Sequence, residues 1–283
     1  MTLICISLQK NNWGNYSQEQ AIKLIQDIFK CNFNSKDAIA YLEHGKDRPR
    51  ILRQAKYIYE SCHQQIGSCR HPSFHTALCS NSDMNLIKTV RLRSNSLETL
   101  LMTDPNLQII LLVRDPRAVM NSRWSNWCGN KPKCKVISQY CTELKGDVIH
   151  TLHLAKRFHG KLRIVRYEDL IQNKSQVLTQ AFHFLSLTEM TLEKVESFLN
   201  RFKFINPRIL KAMTLTGEYS YRKNSNLIPK KWLTKLSKDI VERIERRCAQ
   251  SMNLLGYPSR QEIIESGELV IQPESEIESL LIK

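Results

Sequence analysis

Leu111-Leu112-Val113-Arg114-Asp115-Pro116-Arg117-Ala118-Val119-Met120-Asn121-Ser122-Arg123 is the stretch that decides the fold. Together with the preceding Asn106-Leu107-Gln108-Ile109-Ile110 it contains an apolar run of strand length, the mark of a strand buried in a parallel sheet. The run stops at Arg114-Asp115-Pro116, and Pro116 suits the first turn of a helix because it has no amide proton to lose there. A strand that hands over to a helix in this way leaves Arg114 at the carboxyl edge of the sheet, where open α/β folds bind ligands. Ser122 follows eight residues later, about two helical turns beyond Pro116. A guanidinium fork and a hydroxyl so placed can converge on one anion. Spacing alone supports equally an Arg114 paired with Asp115 or a neighbouring acid at the turn.

Working outward, Leu86-Ile87-Lys88-Thr89-Val90-Arg91 and Leu162-Arg163-Ile164-Val165-Arg166-Tyr167 read as further strands. Asn95 and Glu98 have capping-box spacing for a helix ending near Met102. The segment 136–158 is amphipathic, with Ile137, Tyr140, Leu144, Val148, Leu152, Ala155 and Phe158 on one face. Helices are predicted near 174–186 and 191–201, and a last one runs from Ser237 as N-cap to Leu255, stopped by Gly256. Residues 20–30 and 50–61 also have helical spacing, whereas 62–85, rich in Cys, His, Ser and Asn, reads as a long loop. Strands alternating with helices predict an α/β domain with a mostly parallel sheet.

The 283 residues carry a net charge of +15, and residues 261–283 hold six Glu against one Lys, so the acidic charge gathers at the end. The basic remainder suits a polyanion, whether nucleotide, acidic glycan or nucleic acid. Clustered Lys and Arg with interleaved aromatics are not evident, which argues against nucleic acid. No Gly-x-x-x-x-Gly-Lys-Ser/Thr occurs, which excludes a P-loop kinase. The nine cysteines include two local groups, Cys62, Cys69 and Cys79, then Cys128, Cys134 and Cys141. Short-range disulfides in an oxidising compartment are the expectation. A zinc site from Cys69, His71, His75 and Cys79 is the weaker alternative, because the spacing fits no common structural site. Asn15-Tyr16-Ser17 and Asn173-Lys174-Ser175 are glycosylation sequons. No apolar span reaches membrane-helix length, and the opening Met1–Leu8 run lacks a signal peptide's basic flank.

The Arg114-Asp115-Pro116-Arg117-Ala118-Val119 wording resembles the 3′-phosphate-binding motif of the Golgi carbohydrate 6-O-sulfotransferases, which use 3′-phosphoadenosine 5′-phosphosulfate (PAPS). Three flanking blocks are similar in order: Lys88-Thr89-Val90-Arg91-Leu92-Arg93, Val165-Arg166-Tyr167-Glu168-Asp169-Leu170, and Tyr221-Arg222-Lys223-Asn224-Ser225 followed by Trp232 and Leu255-Gly256-Tyr257. The resemblance implies a P-loop-like sulfotransferase fold and assigns Arg114, Ser122 and, with one extra residue before Asn-Ser, Arg222 to the nucleotide. It implies sulfate transfer from PAPS, without a metal, to a sugar hydroxyl: the 6-hydroxyl of N-acetylglucosamine, galactose or N-acetylgalactosamine. The acceptor would be a keratan- or chondroitin-type chain or another N-acetylglucosamine-containing glycan, and the place the Golgi lumen. Lys88 is a weak candidate for a catalytic cation, and Arg91 and Arg93 are candidates to contact an acidic glycan. Arg91 and Arg93 share one strand face and Lys88 the other.

One part of the family pattern is not found. The Arg-x-Gly-Ser-Ser type of loop that cradles the 5′-phosphosulfate is absent, and Gly14, Gly45 and Gly67 lack its setting. The expectation is therefore a domain over 18–258 without its first strand-loop-helix unit, an unassigned segment 1–17, and a mobile acidic tail over 259–283. Either an upstream part holding the loop and a membrane anchor is missing from the sequence, or the chain is a shortened homologue. In the latter case it would be a non-catalytic protein of the same fold that binds acidic glycan or a partner through its basic face.

Overall fold

The computed structural model describes residues 2–7, 17–43, 69–89, 92–128, 132–204 and 230–283. Five strands, β1 (Thr2–Ser7), β2 (Asn85–Thr89), β3 (Leu107–Val113), β4 (Leu162–Arg166) and β5 (Leu281–Ile282), form one sheet. Their order is β2-β1-β3-β4-β5, and every pairing is parallel. The carboxyl ends therefore gather at one edge. Ser7 pairs with Leu112 there, and Val113 pairs with Arg166.

Thirteen helices surround the sheet among the described residues. Those before the decisive motif are α1 (Gln18–Phe29), α2 (Lys36–Glu43), α3 (Pro72–Ser80) and α4 (Leu97–Thr103). Next come α5 (Pro116–Ser122), α6 (Ile137–Arg157), α7 (Tyr167–Gln172), α8 (Lys174–Phe184) and α9 (Leu192–Phe204). The last are α10 (Trp232–Lys235), α11 (Lys238–Leu255), α12 (Arg260–Ser266) and α13 (Ser275–Glu278). Strand β3 is buried on both faces, as its composition predicted. Leu107, Ile109, Leu111 and Val113 join the main core with Tyr140, Leu144, Val148 and Leu152 of α6 and Ile244, Met252 and Leu255 of α11. On the opposite face Ile110 packs with Val165, Val177, Leu185 and Ile282.

Three expectations are corrected here. The segment 1–17 is not outside the sheet. Thr2–Ser7 lies between β2 and β3 and pairs with both, so the strand thought to be missing stands at the centre, and α1 follows it. Helix α1 opens with a capping box, Ser17 accepting from the Gln20 amide while Gln20 accepts from the Ser17 amide. The acidic end is not a mobile tail. It supplies α12, α13 and the edge strand β5, and it buries Ile263, Leu269, Ile277 and Ile282. Alternation of apolar and acidic residues lets it bury one side and leave its charge in water. Finally, 62–85 is not one loop, since Pro72 starts α3 and His75 and Cys79 are buried beneath it. The expected helix at 50–61 lies outside the described residues.

The disulfides follow the oxidising expectation only in part. Cys128 and Cys134 form the local bridge. Two others among the described residues cross long stretches, Cys31 to Cys79 and Cys141 to Cys248, the latter tying α6 to α11 inside the core. The zinc alternative is overturned. Cys79 is in a disulfide, His75 Nε2 lies 2.7 Å from the Cys69 carbonyl, and His71 Nδ1 lies 2.6 Å from Ser73 Oγ. Glu98 does not close a capping box but pairs with Arg157, and Ser94 instead is bound through its amide and hydroxyl to Asp147. Helix α11 begins and ends where predicted, with Gly256 at φ 77°. No helix of the described residues is long and apolar enough to cross a membrane.

Candidate anion-binding site

The turn from β3 into α5 is set by Asp115. Its side chain accepts the Arg117 amide at 2.8 Å, which caps α5. The same carboxylate grips the Arg117 guanidinium, Nε at 3.0 Å and Nη2 at 2.8 Å. Arg117 has no exposed surface; its Nη1 donates to Glu245 at 2.6 Å and its guanidinium lies 4.0 Å from the centre of a Trp232 ring. Burial alone would lower its pKa, but the Asp115 charge and hydrogen bonds, with those of Glu245, hold it above the ordinary arginine value. Asp115 is thus fully engaged by the second arginine of the motif.

That arrangement leaves the first arginine free for something else. Arg114 is half-buried at the carboxyl end of β3, its guanidinium 4.5 Å from the Tyr167 ring centre. Its Nε is buried without a hydrogen-bond partner, and it has no carboxylate partner among the described residues. The structural alternative of an Arg114–Asp115 pair is therefore excluded. Tyr167 opens α7 directly after β4, so the parallel sheet brings the stacking ring to the same edge.

The acids behind Arg114 are also taken. Asp169 pairs with Arg166 at 2.6 Å, and Arg166 also donates to the Leu255 carbonyl at the end of α11. Glu168 is buried. It accepts the Asp115 amide at 3.2 Å and the Tyr257 hydroxyl at 2.7 Å. Burial first, then the Asp115 charge, pushes its carboxyl up to about 7. Nothing in the local sequence marks the link from Glu168 to Tyr257, 89 residues away.

The remaining predicted residues are dispersed. Ser122 ends α5, half-buried, six residues along the helix from Pro116 and about 9 Å along the axis. Lys88 is exposed on the edge strand β2, next to Thr89, whose buried hydroxyl has no partner among the described residues. Arg93 is not a free glycan contact. It bridges Glu143 at 3.3 Å and Asp147 at 3.2 Å and donates to the Glu143 carbonyl, because the chain has left the strand and turned onto α6. Arg91 and Arg222 lie outside the described residues, as does the connection 8–16 between β1 and α1. No cluster of potential metal ligands is found among the described residues.

Fold and site together define a parallel α/β protein with an arginine at the carboxyl edge of its sheet that has no carboxylate partner among the described residues, an arrangement suited to a phosphorylated ligand. Residues 13–256 match the sulfotransferase domain family, and the chain belongs to that family. It is 31% identical over 201 residues to carbohydrate sulfotransferase 1 of Danio rerio, covering 64% of this chain and 46% of that protein. Human carbohydrate sulfotransferase 3 is 24% identical over 224 residues, 71% of this chain and 45% of its own length. Mouse carbohydrate sulfotransferase 5 is 25% identical over 213 residues, 68% and 52% respectively. The chain spans about half the length of the curated relatives it matches.

Proposed function

We propose that the chain forms the catalytic domain of a carbohydrate sulfotransferase that moves the sulfuryl group of PAPS to a sugar hydroxyl. The observation that carries this reading is Arg114: a cation at the carboxyl edge of a parallel sheet, stacked on Tyr167, with its neighbouring acids bound elsewhere. Such a group answers a phosphate rather than a protein carboxylate. Arg114 would donate charge-assisted hydrogen bonds to the 3′-phosphate of the donor, and the Ser122 hydroxyl would add one more. Lys88, exposed near the end of β2, is the candidate to offset charge on donor or acceptor, and Arg222 a further nucleotide contact. PAPS itself supplies the activated sulfate, which passes to the acceptor oxygen while the adenosine bisphosphate leaves.

The relatives' names specify a carbohydrate acceptor and carry the same reading to this chain. We take the acceptor to be the 6-hydroxyl of N-acetylglucosamine, galactose or N-acetylgalactosamine in a keratan- or chondroitin-type chain. The three disulfides among the described residues and the exposed sequon residue Asn173 fit the Golgi lumen.

The test is calorimetric titration with 3′-phosphoadenosine 5′-phosphate (PAP). Micromolar binding is expected from the chain, weakened by about 10- to 100-fold in Arg114→Ala and about 3- to 10-fold in Ser122→Ala, the worth of a charged and a neutral hydrogen bond. A folded chain that does not bind PAP would sink the proposal. PAP binding without sulfate transfer to any of the three sugars would favour the non-catalytic glycan-binding protein.

A further inference from the structure

We infer that Glu168 is a positioning residue for the Arg114 site: by holding the Asp115 amide and the Tyr257 hydroxyl, it fixes the turn from which Arg114 projects. The inference rests on the proposed function and deepens it. Glu168 has no exposed surface, and its two carboxyl oxygens are divided between two distant parts of the chain. One oxygen takes the amide that follows Arg114 directly; the other takes a hydroxyl from the segment leaving α11. The neighbouring carboxylate of Asp115 is held by Arg117, so Glu168 is what holds the backbone amide of that turn. A buried amide and a buried hydroxyl without an acceptor are costly, and the turn would move to find one.

The charge of Glu168 also matters to an anion at Arg114. Facing it are Asp115 at the turn, Tyr140 on α6 and Tyr257 after α11, with Arg117 on α5 bound to Asp115 and Arg166 at the end of β4 bound to Asp169. Asp115 and Asp169 are paired with Arg117 and Arg166, whereas burial of Glu168 raises its carboxyl to about 7, so its charge changes near neutrality. Below about 7 the carboxyl is neutral; above it, a negative charge sits behind the bound phosphate and opposes it. The PAP affinity of the wild type should therefore fall, relative to a variant with a neutral amide here, as pH rises. The titration of PAP itself is common to both proteins and cancels in the ratio.

The experiment is PAP titration of the wild type, Glu168→Gln, Glu168→Ala and Tyr257→Phe across about pH 6 to 8, with thermal melts alongside. Glutamine keeps an acceptor for the Asp115 amide, so near pH 6 its affinity should stay within about threefold of wild type, and near pH 8 it should bind several-fold more tightly. Alanine should weaken PAP binding about tenfold or more near pH 6, and by less near pH 8, where removing the opposing charge offsets part of the loss. If alanine does not fold, Tyr257→Phe decides, with about threefold weaker binding expected from loss of one hydrogen bond. Unchanged affinity in Glu168→Ala, or in Tyr257→Phe where alanine fails, overturns the inference, as does a wild-type-like pH profile in Glu168→Gln. Those results leave the proposed function standing. A wild type that does not bind PAP removes the proposed function, and this inference with it.

Discussion

Arg114 and Arg117 are three residues apart and chemically identical, yet their surroundings give them opposite tasks. Arg117 has both faces covered and acceptors on both sides, Asp115 and Glu245, so it holds α5 to α11. A buried ion pair of this kind need not be more stable than a matched apolar pair, but removing one partner strands the other charge. Arg117→Met should therefore cost about 3–5 kcal/mol in urea unfolding because Asp115 is left buried and uncompensated. Adding Asp115→Asn should recover part of the loss. A single variant as stable as wild type would show that Asp115 finds another partner. Lysine should not substitute well, since one ammonium cannot reproduce the fork across Asp115 and Glu245. Arg93 shows the same logic at another place. Its position four residues past β2 let it reach Glu143 and Asp147, and no pattern in the local sequence pointed to partners 50 or more residues away.

At the scale of elements, the central strand is the test case. Thr2–Ser7 is paired along both sides, so its backbone donors and acceptors are shared between β2 and β3. Proline at Ile4 would delete a ladder donor where an edge position is not available to absorb it. Ile4→Pro should cost at least the roughly 1–3 kcal/mol of a buried unsatisfied group, read as a lower midpoint in thermal unfolding. An unchanged midpoint would mean that the sheet does not depend on this strand. Strands β3 and β4 and helices α6 and α11 were legible because their signals are local: an apolar run, a helical stripe, a Ser before the helix and a Gly after it. Strand β1 was not, because six residues with no turn chemistry and no basic flank read as an unassigned opening, and partners more than 80 residues away leave no mark on them. The candidate site divides similarly. Arg114 could be picked out by its place after a buried strand, whereas the freedom that makes it a binding group depends on Arg117, Glu245, Tyr257 and Trp232, which only the fold assembles.

Across the whole molecule, the last 24 residues close the structure rather than trail from it. The chain leaves α11 through Gly256, whose positive φ lets it turn and whose missing side chain admits the returning backbone. A Cβ there would lie 2.2 Å from the carbonyl carbon of Gln272. Gln272 then donates to the Gly256 carbonyl and Glu274 to that of Leu254, and the chain runs on to pair Leu281 and Ile282 with Ile164 and Val165. Six glutamates return to a strongly basic body on this path, and Glu276 meets Lys156 while Glu278 meets Lys283 at the surface. Those exposed pairs contribute little, about 0–1 kcal/mol each, so charge is not what holds the segment. Ile263, Leu269, Ile277 and Ile282 do, each worth about 1.5–3 kcal/mol when buried. A chain ending at Pro258, the domain boundary expected from the sequence, should lose cover for Val165, Ile110 and Ala118 together. Its thermal midpoint should fall by more than about 10 °C, since even 3 kcal/mol shifts a domain of this size by roughly 6 °C or more. Raising the salt concentration should leave the midpoint of the intact chain nearly unchanged, as apolar burial requires. A truncated chain that melts with the wild type, or an intact one that loses the segment in salt, would instead make the acidic end an electrostatic appendage of the basic domain.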